Sequence, residues 1–396
     1  MTLDEARKAR MGVAAMFLAN GALMGAWAPQ IPLLLPRHGI GEAVLGLLIL
    51  GLGLGAVGAM LFAGRLIARH GSVPVLRAFT LTSVPLLPLV VWAPTLWLLA
   101  PAMALFGALI GCMDVAMNAN AVEVERRLGR AIMSSSHGFW SLGGFLGGSA
   151  GSWLIVRAGA TSQAAVVAAL VGVLIVLALP ALRGEPPHPA ETRPAAPAIL
   201  PRDAGIWLLG GMALFSMVPE GAVLDWAALY LGQELGAGPV AAGLGFAFFS
   251  GAMAVMRFAG DAVRNRFGAV RTLRVSGLLA ATGLLVAAFA PGAPLALAGF
   301  ALAGLGVANM VPILFSAAGN YPGMAAGAAI STVTMVGYAG ILVAPSSIGF
   351  LAEHAGFRPT YAGLSVLLLI VSALAGRTAV ADDRRNLAVP VAEGPA

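Results

Sequence analysis

Three carboxyl groups interrupt segments of the chain that are otherwise apolar. Glu220 and Asp225 lie in the stretch SMVPEGAVLDWAAL (216–229), and Asp114 lies in ALIGCMDVAMNAN (108–120). A carboxylate at the centre of a lipid bilayer costs at least about 2.5–3.5 kcal/mol on insertion scales, so such a residue normally faces a protein interior or a wet cavity. If these segments cross a membrane, the three acids are the leading candidates for work on a solute or a proton.

Asp114 is followed one helical turn later by Asn118, on the same face of a helix. A charged acceptor beside an amide, which both donates and accepts, suits a ligand with hydroxyl groups. The pair is therefore predicted to bind a solute or to carry a proton. The alternative is a packing hydrogen bond from Asp114 to a neighbouring helix, for example to Asn20.

Glu220 is the leading candidate for a proton switch. No basic residue lies between Arg202 and Arg257, and no arginine falls in the middle of a predicted span. The sequence thus offers no fixed cation to neutralise this acid, and a desolvated carboxyl group without a cation exchanges protons readily.

Asp225 is the second candidate on the same helix. The five-residue spacing from Glu220 turns a helix by about 140°, so the two acids share a cavity only if Pro219 and Gly221 break the helix. Otherwise Asp225 is an acid near the outer mouth, bonded to Trp or Tyr neighbours.

Other side chains complete the predicted site. His137 follows three serines (134–136) and is predicted to gate protons, with a hydrogen-bonded packing role as the alternative. Aromatic rings would stack on a sugar ring, and amides and hydroxyls would bond to its polar groups, although packing is the alternative for each. The predicted solute-binding residues are Asn20, Trp27, Asp114, Asn118, Trp140, Trp226, Asn309, Thr334 and Tyr338.

The elements that must position these residues are membrane-spanning helices. Of the 396 residues, 59% are hydrophobic and 10% are charged, and the mean hydropathy is +0.90, which excludes an ordinary soluble protein. Twelve apolar runs each match the roughly 20 residues that a helix needs to cross a bilayer. The predicted fold is an all-α integral membrane protein with spans at 12–35, 42–63, 77–97, 99–122, 131–156, 162–182, 204–231, 239–259, 271–290, 294–318, 325–350 and 357–377.

The basic residues indicate the orientation of these spans. All but three of the 23 lysine and arginine residues fall on one side of the predicted bundle, leaving Arg37, Arg157 and Arg358 for the other. The positive-inside rule then predicts a multi-pass protein of the cell membrane, the inner membrane in a bacterium, with both termini cytoplasmic. Because the basic residues are grouped in the loops on one side of the bundle and not spread over one soluble face, nucleic acid is not expected as a partner.

Several other functions find no support in the sequence. Lys8 is the only lysine, whereas a Walker A loop needs one to reach the phosphates, and the glycines of GLGLGAVG (51–58) have no strand–helix context. A single cysteine, Cys112, gives no disulfide framework, and the five histidines have no metal-ligand spacing. Neither a metal, a cofactor nor an enzymatic activity is expected.

The chain consists of two related halves. The segment FAGRLIARHGSVPVLR (62–77) recurs as FAGDAVRNRFGAVRTLR (258–274), and a shift of 197 residues aligns Gly107 with Gly304 and Gly143 with Gly340. A stretch rich in proline and charge lies between the halves. The predicted division is a six-span half at 1–182, a cytoplasmic linker at 183–203, a second six-span half at 204–378 and a cytoplasmic tail at 379–396. Parallel repeats with a solute site between them describe one transporter architecture.

The repeated basic loop resembles that of the major facilitator superfamily, although Ala68 stands where an aspartate is usual. The resemblance implies that these loops latch the two halves together on the cytoplasmic side, and the alternative is that the arginines only enforce topology. The matching residues are Gly64, Arg69 and Gly71 in the first copy and Gly260, Asp261, Arg264, Arg266 and Gly268 in the second.

Within this superfamily, GCMDVAMNANAVEVERRLGRAIMSSSHGFWSLGG (111–144) and PEGAVLDWAALYL (219–231) resemble the branch that contains fucose permease and the MosC-type membrane proteins. The resemblance implies a secondary active transporter. We expect a monomer that takes up a small polar solute, such as a sugar or polyol, together with a proton by alternating access.

An exporter of drugs or metabolites that uses proton antiport is the alternative within the same fold. The segment SLGGFLGGSAG (141–151) lacks the Gly-Pro pair that is usual in drug exporters of the family, which favours uptake. A receptor that retained the fold would have no need of buried acids.

Overall fold

A computed structural model describes residues 3–129, 132–184, 203–324 and 326–382. Within these ranges all regular secondary structure is helical, as predicted. The helices are α1 (Leu3–Trp27), α2 (Ile31–His38), α3 (Glu42–His70), α4 (Ser72–Ser83), α5 (Leu86–Trp92), α6 (Leu96–Leu128), α7 (Met133–Ala158), α8 (Ala160–Ala178), α9 (Ala204–Gln233), α10 (Pro239–Phe267), α11 (Ala269–Ala288), α12 (Ala293–Val307), α13 (Met310–Gly319), α14 (Ala326–Ala355) and α15 (Phe357–Ala373). Short 3₁₀ turns cover Ala28–Gln30, Leu179–Ala181 and Leu374–Asp382.

The predicted twelve spans appear as nine continuous helices and three broken ones in the described chain. The first span is α1, a 3₁₀ turn and α2, the third is α4 and α5, and the tenth is α12 and α13. Prolines explain two of the breaks, since Pro29 lies in the first turn of the 3₁₀ segment and Pro85 directly precedes α5. Proline lacks the N–H that a helix interior requires.

Eleven helical stretches of the described chain are long and apolar enough to cross a membrane, and α7 is not among them. This helix is rich in glycine and serine and packs directly on the backbone of α1. A Cβ atom added to Gly147 would overlap the carbonyl oxygen of Ala22, and one added to Gly143 would overlap that of Leu18. Small residues let two helices approach this closely, so α7 is held by its neighbours.

The two halves repeat the same backbone geometry at the shift found in the sequence. Gly71 and Gly268 join the second span of each half to the third, with φ of 85° and 77°. Gly159 and Gly356 join the fifth to the sixth, with φ of 86° and 87°. Such positive φ angles favour glycine because it lacks a Cβ atom, and the matched pairs support the parallel six-span repeats.

One open alternative is decided by the structure, and one predicted helix boundary is wrong. α9 runs without a break from Ala204 to Gln233 and contains Pro219 in its interior, because a proline is tolerated in a spanning helix when neighbouring helices satisfy the freed groups. α10 continues to Phe267 instead of ending near 259, so Arg257 lies well inside a helix.

The second half also extends past its predicted end at 378. The 3₁₀ segment Leu374–Asp382 packs back on the bundle, and both carboxylate oxygens of Asp382 accept a hydrogen bond from the Ala269 backbone N–H at 2.9 Å. The cap occupies the N-terminus of α11, where a negative charge is favourable. Most of the predicted linker, 185–202, and of the predicted tail, 383–396, lies outside the described residues.

The halves are hydrogen-bonded to each other at one end of the bundle. We call the end that carries the loop after α3 and the loop after α10 the arginine-rich end, and the other the opposite end. At the opposite end Gln233 Nε2 donates to Glu42 Oε1 at 2.9 Å, and the Ala43 N–H donates to Glu353 Oε2 at 2.7 Å. Both bonds join one half to the other, so the halves are closed together at this end.

Candidate functional site

A polar network lies between the two halves and contains three of the predicted residues with acidic or imidazole side chains. Asp114 and His137 come from α6 and α7 of the first half, and Glu220 comes from α9 of the second. Asp114 and His137 are half-buried, and the side chain of Glu220 is 24% exposed. The network therefore draws its side chains from both halves of the bundle.

Asp114, Asn118 and His137 form one hydrogen-bonded chain. The Asn118 amide donates to Asp114 Oδ1 at 3.2 Å and to the Asp114 carbonyl oxygen at 2.9 Å. His137 Nε2 lies 3.2 Å from Asn118 Oδ1, and because that oxygen only accepts, Nε2 carries the hydrogen. His137 also packs edge-on against Phe17, with ring centroids 5.1 Å apart. Its gating role and its packing role are thus both compatible with its position.

Glu220 has a cationic partner that the sequence-based interpretation missed. Arg257 Nη2 of α10 lies 3.5 Å from Glu220 Oε2, and the arginine side chain is only 14% exposed. The expectation that no fixed cation neutralises this acid is therefore wrong. It failed because Arg257 stands 37 residues away and because α10 is longer than predicted.

The same arginine connects the two halves. Arg257 Nη1 donates to Ser141 Oγ of α7 at 2.7 Å, while Ser134 Oγ donates to the Arg257 carbonyl oxygen at 2.8 Å. Ser250 Oγ in turn donates to the Ser141 carbonyl oxygen at 2.8 Å. Arg257 and Ser141 are functional candidates that sequence reasoning did not single out. Extending the predicted helix through RFAGDAVRNRF (257–267) would have placed Arg257 inside a span and so identified it as a candidate.

Tyr338 joins the site from α14. Its phenol interacts electrostatically with both Asp114 of the first half and Glu220 of the second. Thr334 is half-buried one turn earlier on the same helix, and an i, i+4 pair shares a face. These two predicted residues are positioned to contribute hydroxyl groups to the network.

Asn20 and Trp140 lie beside the network and bind each other. Trp140 Nε1 donates to Asn20 Oδ1 at 2.8 Å, and Asn20 Nδ2 donates to the Ile110 carbonyl oxygen at 3.4 Å. Asn20 is 2% exposed. The alternative of an Asp114–Asn20 hydrogen bond is wrong, because the carboxylate bonds to Asn118 instead.

Four predicted residues lie away from the network. Trp27 is fully buried against Phe106, with ring centroids 6.0 Å apart, and Trp226 is fully buried beside Asp225. Asn309 precedes α13 and lies so close to Gly260 that a Cβ atom there would overlap its amide oxygen. Trp27 and Asn309 occupy packing positions in this conformation, whereas Asp225 and Trp226 line a separate small cavity.

The predicted latch residues do not join the halves in this structure. Arg264 donates to Ser316 Oγ at 2.7 Å and to the Ala381 carbonyl oxygen at 3.0 Å, both within the second half. Asp261, Arg266 and Arg69 are exposed, and open space surrounds Gly64. Gly71 and Gly268 serve as the positive-φ joints described above. A latch between the two loops stays a prediction.

The network has a simple charge balance. With Glu220 paired to Arg257, Asp114 is the remaining charged group, and its side chain receives a hydrogen bond only from a neutral amide within the described residues. A carboxylate that is partly removed from water and has no cationic partner is most cheaply neutralised by a proton. The arrangement can thus hold a proton on the first half beside an ion pair on the second.

Comparison with known sequences identifies relatives that span nearly the whole chain. The family model of the Major Facilitator Superfamily matches residues 13–260 and 222–394. An uncharacterized MFS-type transporter of Yersinia pestis is 38% identical over 359 residues, covering 91% of this chain and 93% of the relative. The membrane protein MosC of Rhizobium meliloti is 32% identical over 393 residues, covering 96% and 91%. The predicted superfamily and the MosC-type resemblance are confirmed, whereas the likeness to fucose permease stays a prediction.

Solved structures share the fold at low sequence identity. A variant of the nucleoside transporter NupG matches with a TM-score of 0.72 and 12% identity, covering 93% of this chain and 99% of that one. A D-xylose-proton symporter matches with a TM-score of 0.71 and 14% identity, covering 93% and 96%. These likenesses confirm the arrangement of the helices.

Proposed function

Because the chain belongs to the major facilitator superfamily of transporters, we propose that it takes up a small polar solute together with a proton. The observation that carries the proposal is the position of Asp114. This acid has no ion-pair partner in the described chain, and it lies beside the interface at which Glu220 and Arg257 pair.

Proton coupling follows from the charge of the site. With Asp114 ionised, the site formed by Asp114, Glu220 and Arg257 carries one net negative charge, and a proton on Asp114 makes it neutral. Closing the halves over the site removes water, and a dehydrated charge is costly. The protonated site therefore closes more readily, which links proton binding to the change of access. Asp114, instead of Glu220, is therefore the proposed proton switch, and Glu220 binds the guanidinium of Arg257.

The solute class follows from the donors and acceptors around the network. Asn118 and His137 offer amide and imidazole groups, and Thr334 and Tyr338 offer hydroxyls from the other half. Such neutral, directional groups suit a molecule with several hydroxyl groups, and half-buried aromatic rings such as Trp140 suit the apolar face of a sugar ring. The D-xylose-proton symporter among the structural neighbours supports a sugar-like solute as the first class to test.

The conformation and orientation complete the proposal. We place the arginine-rich end in the cytoplasm of a bacterial inner membrane, as the positive-inside rule requires. Since the halves are hydrogen-bonded to each other at the opposite end, this orientation makes the conformation one that is closed to the outside. We expect it to work as a monomer.

The test begins with the purified full-length protein. A thermal-shift screen against sugars, polyols, nucleosides, amino acids and cationic drugs identifies ligands, because a ligand that binds the native state raises its melting temperature. The best ligand is then used in proteoliposomes with an imposed pH gradient. We expect accumulation driven by an inward proton gradient in the wild type, and exchange without accumulation in Asp114→Asn.

Two results would overturn the proposal. If Asp114→Asn still accumulates the solute against its gradient, the proton site lies elsewhere. If the wild type expels a cationic drug in exchange for protons and binds no sugar or polyol, the chain is an antiport exporter.

A further inference from the structure

Asp225 is a buried acid that the central network does not use. It is 7% exposed, lies on α9 beyond Glu220, and makes no hydrogen bond or ion pair with the residues that the structure describes. An isolated ionised carboxylate in such a place is strongly unfavourable. The group is thus either neutral or stabilised by something small.

A small cavity adjoins this acid. Its volume is about 20 Å³, and its walls are formed by Asp225, Trp226 and Gly221 of α9 and by Ala344 and Pro345 of α14. A cavity needs a volume of about 10–15 Å³ to hold a water molecule, and the water molecule needs two or more polar partners. The cavity accordingly has room for one water molecule and no larger ligand.

Trp226 supplies a second, independent sign of an occupant. This indole is fully buried and lines the cavity, and its Nε1–H has no hydrogen-bond acceptor among the described residues. Buried donors are nearly always satisfied by protein or by water. A single water molecule would accept from Trp226 and donate to Asp225, which accounts for both orphan groups together.

The cavity lies directly behind the contact that closes the opposite end. Gly349 of α14 is held between Trp226 and the first half, since a Cβ atom there would lie 2.8 Å from Trp226 Cη2 and 2.7 Å from the Glu42 carbonyl oxygen. A charge on Asp225 would draw water into the cavity and separate α9 from α14. Displacing α14 breaks its contact with α3 of the other half.

We propose that Asp225 and Trp226 form a second proton-binding site, occupied by one water molecule, whose protonation keeps the halves closed at the opposite end. Asp225 accepts the proton as a neutral carboxylic acid, and its loss favours opening. The inference rests on the proposed function only in that this end opens during transport.

The other ionisable groups around Asp225 are accounted for. Tyr361 of α15 interacts electrostatically with Asp225, and its hydroxyl donates to the Ala222 carbonyl oxygen at 3.1 Å. The remaining titratable or charged groups on the helices packed against α9 and α14 are Glu220, Tyr230 and Glu234 on α9, Arg358 on α15, Tyr338, Glu353 and His354 on α14, Arg37 and His38 on α2, Glu42, Arg65, Arg69 and His70 on α3, and Arg257, Asp261, Arg264 and Arg266 on α10. Glu234 pairs with Arg358 at 3.7 Å, and Tyr230 donates to the Ala287 carbonyl oxygen at 2.6 Å.

The experiment measures closure directly and needs no substrate. Glu42→Cys and Gln233→Cys are introduced together in a Cys112→Ser background of the full-length protein, and cross-linking by a short bifunctional thiol reagent is followed from pH 5 to pH 9. A Glu234→Cys and Arg358→Cys pair, which lies within one half, reports the pH dependence of the reagent itself. After this correction, we expect cross-linking to fall with rising pH, by up to about tenfold per unit for a single proton.

The variants distinguish this site from the central one. Asp225→Asn, which mimics the protonated acid, should keep cross-linking high at every pH, whereas Asp114→Asn should retain the fall. Trp226→Phe should move the midpoint to higher pH, because the lost N–H no longer supports the ionised carboxylate through the water.

If cross-linking in Asp225→Asn still falls with rising pH as in the parent, the proposal is overturned. If Asp225→Asn does not fold, an unchanged midpoint of the pH dependence in Trp226→Phe overturns it instead. If instead Asp114→Asn removes the fall, the closure switch belongs to the central network. None of these results depends on whether a solute is transported with a proton, so the proposed function stands or falls separately.

Discussion

Arg257 Nη2 lies 3.5 Å from Glu220 Oε2, while Nη1 of the same guanidinium donates to Ser141 Oγ at 2.7 Å. Glu220 belongs to the second half and Ser141 to the first. One cation on α10 thereby neutralises an acid of its own half and binds the other half. Movement of the halves over the site must act on this ion pair.

The ion pair should be visible as a coupling energy. Arg257→Gln leaves Glu220 partly buried without a cation, and we expect a loss of about 1–3 kcal/mol, less than for a fully buried pair because both side chains keep some exposure. Glu220→Gln should cost less, since an arginine retains its bond to Ser141. Thermal unfolding of both single variants and the double variant measures the coupling.

The exposed Arg69→Gln is the matched control for the loss of one positive charge. Strict additivity of Arg257→Gln and Glu220→Gln would show that the pair contributes nothing.

A Trp140→Phe variant tests whether the Asn20–Trp140 pair only packs or also binds the solute. Trp140→Phe removes the donor to the Asn20 oxygen, and an unsatisfied buried acceptor costs about 1–3 kcal/mol. If the pair only packs, the melting temperature falls while ligand affinity in the thermal-shift assay is unchanged. A fall in affinity beyond that of the control variant Trp97→Phe, which is 90% exposed, would instead support solute binding by these residues.

The close packing of α1 and α7 predicts a sharp contrast between two glycines. Gly147→Ala places a methyl group on the Ala22 carbonyl oxygen, and overpacking of this kind costs about 1–3 kcal/mol or more. Gly58→Ala on α3 meets no atom within 4 Å and should change stability by less than about 1 kcal/mol. Thermal unfolding in detergent compares the two, and equal effects would contradict the packing of α7 on the α1 backbone.

Glu353 caps α3 across the two halves, and its removal should favour opening at the opposite end. The loss of a helix cap costs about 1 kcal/mol, which corresponds to a shift of about fivefold between closed and open populations. Glu353→Ala should therefore lower the cross-linking of Cys residues at 42 and 233, whereas Glu353→Gln, which still accepts from the Ala43 N–H, should change it less. Equal cross-linking in Glu353→Ala and the parent would exclude the cap as a closure contact.

The sequence by itself determined the class of fold and where polar chemistry lies along each helix. Twelve apolar runs, basic loops sorted to one side and a repeat at 197 residues are local or periodic features, so they survive without knowledge of packing. The same holds for the pairing of Asp114 with Asn118, because a spacing of four residues fixes their common face. The 140° separation of Glu220 and Asp225 was likewise correct once α9 proved continuous.

Only the tertiary structure decided which side chains meet. Arg257 reaches Glu220 because α10 extends to Phe267 and because the rotation of α10 against α9 and α7 turns the guanidinium inward. Trp27 and Asn309 look like cavity residues in the sequence, yet they are buried in packing contacts, and Trp226 lines a small cavity away from the central network. The rotation of a helix about its own axis is set by contacts with helices far away in the chain, and no local pattern of residues encodes it.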